Sequence, residues 1–263
     1  MPKREAMNRI VGRTVLVTGA TAGIGEACAR AFAAFGARLV LCARREERLF
    51  ELMETLIKEE GVEVKAAVLD VTDRGAVESW VKDLEDADFM PDVLVNNAGL
   101  ARGLHPLFEG SVEDWEEMID TNLKGLLYVT RAFVPRMVER DHGHVVNIGS
   151  IAGRWTYPKG AVYCATKFGV SAISEGLNID LVGTKVRVSS VDPGLVETEF
   201  SEVRFRGDSE RARKVYQGTT PLSPEDVADV VCWVVNAPEH VDIFNVVVMP
   251  TAQRHAFVLH KEG

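Results

Sequence analysis

Short apolar segments alternate with longer segments of helical period along the chain. The apolar segments are rich in β-branched residues and carry few polar positions, which is typical of strands buried on both faces of a parallel sheet. Seven such segments predict seven strands, over residues 13–18, 38–43, 64–69, 92–96, 143–148, 185–191 and 244–249. Repeated β–α units of this kind predict an α/β fold with right-handed crossovers. We therefore expect one Rossmann-like, doubly wound domain over residues 1–263, with a seven-stranded parallel sheet and helices on both faces.

The segments between the strands refine this prediction. We predict helices over residues 24–35, 46–60, 111–140 and 224–236, the third of which starts with a capping box formed by Ser111 and Asp114. Residues 195–223 form a long polar and charged interval at the carboxyl end of the sheet, which is typical of a substrate lid. A pair of surface helices is compatible with that role. Residues 1–8 are expected to be a loose extension.

Charge and composition exclude several classes of protein. The 263 residues carry a net charge of −9, whereas a general nucleic-acid binder needs a basic surface. The four scattered cysteines, Cys28, Cys42, Cys164 and Cys232, lie in apolar or small-residue segments. Buried reduced thiols are the favoured interpretation, and neither a disulfide framework nor a metal site is expected. The absence of a long apolar segment or a signal peptide predicts a cytoplasmic protein with no membrane partner.

Three glycines occupy the turn between the first strand and the first helix. Gly19, Gly23 and Gly25 have the spacing G-x-x-x-G-x-G. Glycine lets the backbone approach a pyrophosphate closely, and the N-terminus of the helix offers unpaired N–H groups to it. Because the turn follows a strand and precedes a helix, it predicts a dinucleotide-binding site.

The residues after the second strand indicate which dinucleotide binds. An NAD-binding Rossmann domain has a carboxylate at the end of this strand, whereas this chain has Ala43 followed by Arg44 and Arg45. Guanidinium groups hold a 2′-phosphate that a carboxylate would repel, so we predict NADP(H). Alternatively, the arginines form surface pairs with the adjacent Glu46 and Glu47. Asp70, at the end of the third strand, is expected to accept a hydrogen bond from the adenine amino group, to cap the next helix, or both.

A tyrosine and a lysine four residues apart are the most informative pair in the chain. Tyr163 and Lys167 lie on one face of a predicted helix. A nearby cation favours the phenolate form and lowers the pKa of a tyrosine, which suits an acid–base catalyst that interconverts a hydroxyl and a carbonyl. The spacing alone is common, so the pair gains meaning from the other motifs.

Together these motifs resemble the short-chain dehydrogenase/reductase family over the length of the chain. The similar segments are TGATAGIG, the NNAG of residues 96–99, Asn122 in IDTNLKG, Ser150 in NIGSIAG, Tyr163 with Lys167, and Pro193-Gly194 with Thr198. The resemblance implies that the cofactor is bound by Gly19, Thr21, Gly23, Ile24, Gly25, Arg44, Arg45, Asp70, Val71, Asn97, Ala98, Gly99, Tyr163, Lys167, Pro193, Gly194 and Thr198. It also implies a homotetramer or a dimer, in which helices near residues 112–140 and 161–182 pair across a twofold axis. The C-terminal segment would reach a neighbouring subunit.

The same resemblance assigns four catalytic roles. Tyr163 would move the hydroxyl proton, and Ser150 would position the substrate oxygen. Lys167 would lower the pKa of Tyr163 and bind the nicotinamide ribose. Asn122 would hold a water against Lys167.

The last third of the chain resembles a narrower group, the NADP-dependent 3-hydroxy acid dehydrogenases. The resemblance implies that the enzyme interconverts a small 3-hydroxy acid, such as serine, allo-threonine or 3-hydroxypropionate, and its 3-oxo acid or semialdehyde. Ser150, Tyr157 and Arg204 are the predicted substrate residues; Arg206, Arg154, Lys159 and Trp155 are further candidates or ordinary surface and core residues. Two alternatives stay open: a broad carbonyl reductase acting on neutral substrates, and a non-catalytic NADP-binding regulator.

Overall fold

The computed structural model describes residues 8–262, and its centre is one sheet of seven parallel strands. The strands are β1 (Thr14–Thr18), β2 (Arg38–Ala43), β3 (Val64–Val68), β4 (Val93–Asn96), β5 (Gly143–Ile148), β6 (Val186–Pro193) and β7 (Asn245–Val248). Their order in the sheet is β3-β2-β1-β4-β5-β6-β7. Successive strands are added towards one edge of the sheet up to β3 and towards the other edge from β4, so the switch point of a doubly wound sheet lies between β1 and β4. The predicted fold class is therefore confirmed.

Nine α-helices accompany the strands within residues 8–262. They are α1 (Gly23–Ala34), α2 (Glu46–Glu60), α3 (Arg74–Asp86), α4 (Val112–Ile119), α5 (Leu126–Glu139), α6 (Ala161–Asp180), α7 (Phe200–Arg204), α8 (Ser209–Tyr216) and α9 (Pro224–Val235).

Two apolar layers hold the helices to the sheet. Side chains of a strand alternate between the two faces, so Val15 and Val17 of β1 face one layer and Leu16 faces the other. The first layer packs against α1, α2 and α9, and the second against α3, α5 and α6. In the second layer Trp80 of α3 meets Phe133 of α5 edge to face, with 5.5 Å between ring centres. Because both faces are covered, the strands are nearly all apolar.

The predicted helix over residues 111–140 is interrupted. A π-helical turn, Asp120–Gly125, separates α4 from α5. The predicted capping box at its start is only half formed: Ser111 accepts a hydrogen bond from the Asp114 N–H, but the Asp114 carboxylate pairs with Arg206 of the distant segment 195–223. A complete capping box instead starts α9, between Ser223 and Asp226.

Residues 195–223, which we call the lid segment, contain the short helices α7 and α8. The C-terminal residues pack against it, and they form a small antiparallel hairpin, β8 (Gln253–His255) with β9 (Val258–Leu259), that the sequence did not predict. The Glu262 N–H donates to the Gly218 carbonyl over 2.8 Å, and the Leu195 N–H donates to Gln253 over 2.8 Å. Both ends of the lid segment are thus tied to the C-terminus.

Three remaining predictions concern the chain as a whole. The extension over residues 1–8 lies outside the described residues except for Asn8, whose side chain donates to the Phe35 carbonyl over 3.1 Å. All four cysteines are buried and unpaired, as predicted. The described helices include none whose length and apolar character would let it cross a membrane.

Candidate active site

A cleft of about 770 Å³ opens beyond the carboxyl ends of β1, β4, β5 and β6, where the strand order reverses. Doubly wound sheets bind their ligands at this place, and the volume is within the usual range for a ligand site. Of the predicted cofactor residues only Gly25 does not line the cleft; Ser150, Tyr157 and Arg204 line it as well. Asn122, the remaining predicted residue, lies outside the lining.

The glycine turn forms one end of the cleft. Gly19 and Gly23 have φ values of +66° and +53°, in the left-handed region that favours glycine. Helix α1 starts at Gly23, and Ala22 before it supplies no side-chain cap, so the first N–H groups stay available to an anion. A Cβ at Gly25 would collide with the Gly19 carbonyl and the Asn97 amide. The turn thus fits a pyrophosphate. Gly25 does not line the cleft but allows the start of α1 to pack closely against Gly19 and Asn97.

Asn97 ties the end of β4 to this turn. Its Nδ2 donates to the carbonyls of Thr18 and Gly19 over 2.9 and 3.2 Å. The Thr18 hydroxyl in turn accepts from the N–H groups of Asn97 and Ala98, each over 3.0 Å. Two parallel strands are therefore locked together at the cleft floor.

The two arginines after β2 have different partners. Arg44 Nη1 lies 3.4 Å from the Asp70 carboxylate, whereas Arg45 donates to Thr21 of the glycine turn and to Glu199 of the lid segment. In the described part of the chain neither arginine pairs with Glu46 or Glu47, so that alternative is wrong. Two guanidinium groups therefore lie at the edge of the cleft.

The capping role considered for Asp70 is also wrong. The cap of α3 is Asp73, whose carboxylate accepts from the Ala76 N–H over 3.0 Å. Asp70 instead accepts from the N–H and hydroxyl of Thr72. Partial burial raises the pKa of Asp70, but the hydrogen bonds from Thr72 and the Arg44 charge outweigh it and hold the pKa below its usual value. Asp70 is therefore an anion at the cleft.

Ser150 and Tyr163 meet although 13 residues separate them. Ser150 follows β5 and caps a short 3₁₀ turn by accepting from the Ala152 N–H over 3.0 Å. Tyr163 lies in the first turn of α6, and both it and Ser150 line the cleft. Both side chains are 9% exposed. The hydroxyls of Ser150 and Tyr163 thus lie at the cleft and are largely shielded from solvent.

The charge that acts on Tyr163 differs from the expectation. Burial raises the pKa of Tyr163, and the nearby Tyr157 adds to the rise. The Arg204 charge and the nearby Ser150 hydroxyl oppose this rise in the pKa. Lys167, expected to lower this pKa, instead donates from Nζ to the Ile148 carbonyl over 2.9 Å. Arg204 is therefore the cation that favours the Tyr163 phenolate.

Lys167 is itself buried. Its side chain is 7% exposed, and this burial lowers its pKa to about 8, against the opposing charge of Asp192. A lysine whose pKa is near neutrality can lose or regain a proton at working pH. Lys167 thus suits a proton relay that ends at Tyr163.

Asn122 lies in the π-helical turn, and its side chain is hydrogen-bonded to the backbone of Leu100. Its Oδ1 accepts from the Leu100 N–H and its Nδ2 donates to the Leu100 carbonyl, each over 2.8 Å. The Nδ2 also donates to the Thr166 hydroxyl over 3.0 Å. A π-helical turn is often found at functional sites because its extra residue redirects a side chain. Here it joins the segment after β4 to α6, next to Lys167.

Arg204 forms the opposite wall of the cleft. Its Nη2 donates to the Tyr157 hydroxyl over 2.8 Å, and its Cζ lies 5.2 Å from the ring centres of both Tyr163 and Phe200. Its Nε is buried and has no hydrogen-bond partner among the described residues. A half-buried guanidinium with an unused donor beside two hydroxyls is suited to an anionic ligand.

The other substrate candidates have structural partners. Arg206 pairs with Asp114, and Arg154 donates from Nε to the buried Asp192 over 3.0 Å. The Trp155 ring stacks on His255, with 4.4 Å between ring centres. Lys159 is exposed on the loop before α6. Of the candidate cations, Arg204 therefore has the strongest geometry.

Several cleft residues were not predicted. Phe200 packs against Tyr163 with 5.6 Å between ring centres, and Gln253 holds the backbone after β6. Glu199 and Tyr216 of the lid segment also line the cleft. The polar lid segment pointed to this region but not to particular side chains, and Gln253 carried no sequence signal because it lies some 60 residues from its partner.

Comparisons with known proteins agree with this geometry. The family model described as short chain dehydrogenase matches residues 13–208. The NADP-dependent 3-hydroxy acid dehydrogenase YdfG of Salmonella typhi is 53% identical over 243 residues, covering 92% of this chain and 96% of that protein. Sulfoacetaldehyde reductase 2 of Chromohalobacter salexigens is 48% identical over 240 residues, covering 91% and 94%.

A solved structure is similar as well. The closed form of serine dehydrogenase complexed with NADP+ superimposes with a TM-score of 0.88 at 50% identity, covering 95% of this chain and 100% of that one. A family match over most of the chain, close relatives along its length and a cleft with the expected hydroxyl pair lead to one conclusion. This chain belongs to the short-chain dehydrogenase family.

Proposed function

We propose that the protein is an NADP-dependent oxidoreductase that interconverts a small 3-hydroxy acid and its 3-oxo acid or semialdehyde. Oxidoreductase activity and NADP(H) as cofactor are confirmed by the family and by the relatives. The observation that carries the substrate class is the buried, unpartnered Nε of Arg204 on the cleft wall beside Tyr163. A carboxylate or sulfonate would satisfy this donor and neutralise the guanidinium charge.

The cleft would hold the cofactor from one end to the other. The pyrophosphate would lie against the glycine turn and the N-terminus of α1, and the adenosine 2′-phosphate against Arg44 and Arg45. Asp70 with Val71 would border the adenine, and Asn97–Gly99 the ribose. Pro193, Gly194 and Thr198 would lie over the nicotinamide, whose ring supplies or accepts the hydride.

The protein's own groups would handle the proton. In the direction of alcohol oxidation, the Tyr163 phenolate would accept the hydroxyl proton while Ser150 holds the same oxygen through a hydrogen bond. Lys167 would bind the nicotinamide ribose and pass the proton on, and Asn122 would keep a water next to it. In reduction the Tyr163 hydroxyl would return the proton to the carbonyl oxygen.

The lid segment would close over the substrate. It carries Arg204, and the same arginine is hydrogen-bonded to Tyr157 of the opposite loop. Arg204 and Tyr157 would together bind the acid group, and the Arg204 Cζ lies 5.2 Å from the ring centre of Tyr163. Closure would exclude water from the reacting atoms, which strengthens these charged contacts.

The test is a screen of NADP+ reduction with serine, allo-threonine, 3-hydroxypropionate and 3-hydroxyisobutyrate against a neutral secondary alcohol. We expect kcat/KM for the best acid to exceed that for the neutral alcohol by about 100-fold, which is the worth of one buried charge-assisted contact. Equal or higher values for the neutral alcohol would identify a broad carbonyl reductase instead. NADPH binding without turnover of any substrate would identify a regulator.

We also propose a homotetramer or dimer in the cytoplasm. Apolar side chains stay exposed on α5 and α6, among them Leu127, Phe168 and Ile179 at 44, 42 and 63% exposure. Such side chains are typical of subunit interfaces. Light scattering after gel filtration measures the assembly, and cell fractionation measures the location.

A further inference from the structure

Glu199 connects the lid segment to the arginines at the adenosine end of the cleft. It directly precedes helix α7 and so lies at the start of the lid helix that carries Arg204. One carboxylate oxygen of Glu199 accepts from Arg45 Nη1 over 2.8 Å, and the other accepts from Arg48 Nη1 over 2.7 Å. The sequence separations are 154 and 151 residues, so only the fold brings these groups together.

The bridge continues into the glycine turn. Arg45 donates from Nε to the Thr21 hydroxyl over 3.1 Å and from Nη2 to the Thr21 carbonyl over 3.0 Å. The hydrogen bond from Arg45 lowers the pKa of Glu199, and the contact with Arg48 adds to this against partial burial, so the carboxylate is ionised at neutral pH. A continuous polar path therefore leads from the turn through Arg45 and Glu199 to the lid.

The two arginines after β2 consequently differ in what they can offer a phosphate. Arg44 has one long contact of 3.4 Å with Asp70, whereas Arg45 is already bound on three sides by Thr21 and Glu199. A 2′-phosphate that approached Arg45 would meet the Glu199 carboxylate as a like charge. The carboxylate and the phosphate would repel each other even though both are partly exposed, and salt would weaken this repulsion.

We propose that Glu199 is a positioning and specificity residue that shares Arg45 between the lid segment and the cofactor 2′-phosphate. Its carboxylate anchors α7, and with it Arg204, to the glycine turn. The same charge reduces the affinity of the site for the 2′-phosphate. Lid placement over the substrate and 2′-phosphate binding thus both depend on the Arg45 guanidinium, while Arg48 strengthens the anchor of α7. This inference rests on the proposed function for the role of the lid.

The first test uses binding alone. In Glu199→Gln the shape is kept and the charge is removed, so 2′,5′-ADP should bind about three- to tenfold more tightly at low salt. The affinity for 5′-AMP, which has no 2′-phosphate, should stay the same. High salt should reduce the gain for 2′,5′-ADP. Isothermal titration calorimetry measures all three, and the matched control is Glu210→Gln, a lid glutamate that pairs with Lys214 of its own helix.

The second test uses the lid. In Glu199→Gln at saturating NADP+, KM for the best hydroxy acid should rise about two- to fivefold, because two exposed ion pairs that place α7 are weakened. The kcat should change little, since Tyr163 and Ser150 keep their contacts. Glu210→Gln should alter neither value.

The outcomes separate this inference from the proposed function. Equal changes for 2′,5′-ADP and 5′-AMP, or a response equal to that of Glu210→Gln, would overturn the role of Glu199. A wild-type protein that binds 2′,5′-ADP no better than 5′-AMP would contradict the proposed placement of the 2′-phosphate. Failure of every hydroxy acid to react would contradict the proposed substrate and leave the binding test of Glu199 intact.

Discussion

The guanidinium of Arg204 donates a hydrogen bond to the hydroxyl of Tyr157 over 2.8 Å and lies 5.2 Å from the ring centre of Tyr163. Arg204, a side chain of the lid segment, therefore contacts Tyr157, its proposed partner in binding the substrate acid group. It also lies beside Tyr163, the proposed proton donor. Substitutions of Arg204 should therefore affect both substrate binding and the pKa of Tyr163, in measurable and different ways.

Replacing Arg204 by Met should raise KM for 3-hydroxy acids by about 10- to 100-fold, because a charge-assisted contact is lost while most of the side-chain volume stays. The Arg204 charge opposes the rise in the Tyr163 pKa, so its removal should also move the alkaline increase in oxidation rate to higher pH. Steady-state kinetics over a pH series measures both effects. Arg206→Met, which removes a cation paired with Asp114, is the matched control. Equal KM increases in the two variants would remove Arg204 from the substrate site.

Replacing Tyr163 by Phe should lower kcat at least about 100-fold in both directions, because the proposed acid–base group is lost. NADPH binding, followed by its fluorescence, should remain measurable, since the ring and its contact with Phe200 are retained. Near-normal turnover in this variant would mean that Tyr163 is not the acid–base group.

Replacing Arg44 by Ala should reduce the preference for NADP+ over NAD+ by about tenfold or more, because a charged contact to the 2′-phosphate disappears. Kinetics with NAD+ should change little, which also serves as the folding control. An unchanged ratio of kcat/KM for the two cofactors would place the 2′-phosphate elsewhere.

The buried Lys167 should make stability depend on pH. Burial lowers its pKa to about 8 in the folded protein, below that of the unfolded chain, so between about pH 8 and 10 the unfolded state binds more protons. Within this window the free energy of unfolding should rise with pH by up to about 3 kcal/mol from this group. Below pH 8 the gain is absent.

The buried cysteines act in the opposite direction at alkaline pH, since burial raises their thiol pKa values. The measurement is therefore the difference in unfolding free energy between the wild type and Lys167→Met by urea denaturation without cofactor. This difference should shift in favour of the wild type from pH 7.5 to pH 9.5. A constant difference would show that Lys167 titrates as it does in the unfolded chain.

Replacing Gly25 by Ala should weaken binding of 2′,5′-ADP and destabilise the fold by about 1–3 kcal/mol, because the new Cβ overpacks against the Gly19 carbonyl and Asn97. Gly75→Ala is the matched control: it lies on the exposed side of α3, its added Cβ makes only ordinary contact, and it should stabilise the protein by up to about 1 kcal/mol. Thermal unfolding compares the two. Equal and small effects would contradict the close-packing role of Gly25.

The sequence predicted an element correctly where the residues that determine it lie within the same short segment of the chain. Helix α2 was predicted over residues 46–60 and is found there, because its apolar period and Gly61, in the left-handed conformation at its end, are adjacent in the chain. The capping box at Ser111 failed for the opposite reason. Its second partner, Asp114, is taken by Arg206 from the lid segment, 92 residues away.

The residues of the candidate site also fall into those that local sequence could identify and those that it could not. The glycine turn, Ser150, and Tyr163 with Lys167 could be identified because each motif is a short segment with its own chemistry. Arg204 was predicted as a substrate residue, but the sequence offered no physical ground for separating it from Arg154 and Arg206. Only their partners distinguish them: Asp192 for Arg154, Asp114 for Arg206, and Tyr157 with an unused Nε for Arg204.

The amino-acid sequence by itself determined the strands, the doubly wound sheet, the dinucleotide turn and the Tyr163–Lys167 pair, because hydrophobic period, glycine and short spacings act locally. Tertiary structure alone decided that Lys167 is held at Ile148, that the Arg204 charge reaches Tyr163, and that Glu199 binds Arg45 and Arg48. The physical reason is that charge and burial depend on groups that are distant in the chain and meet only in the folded structure.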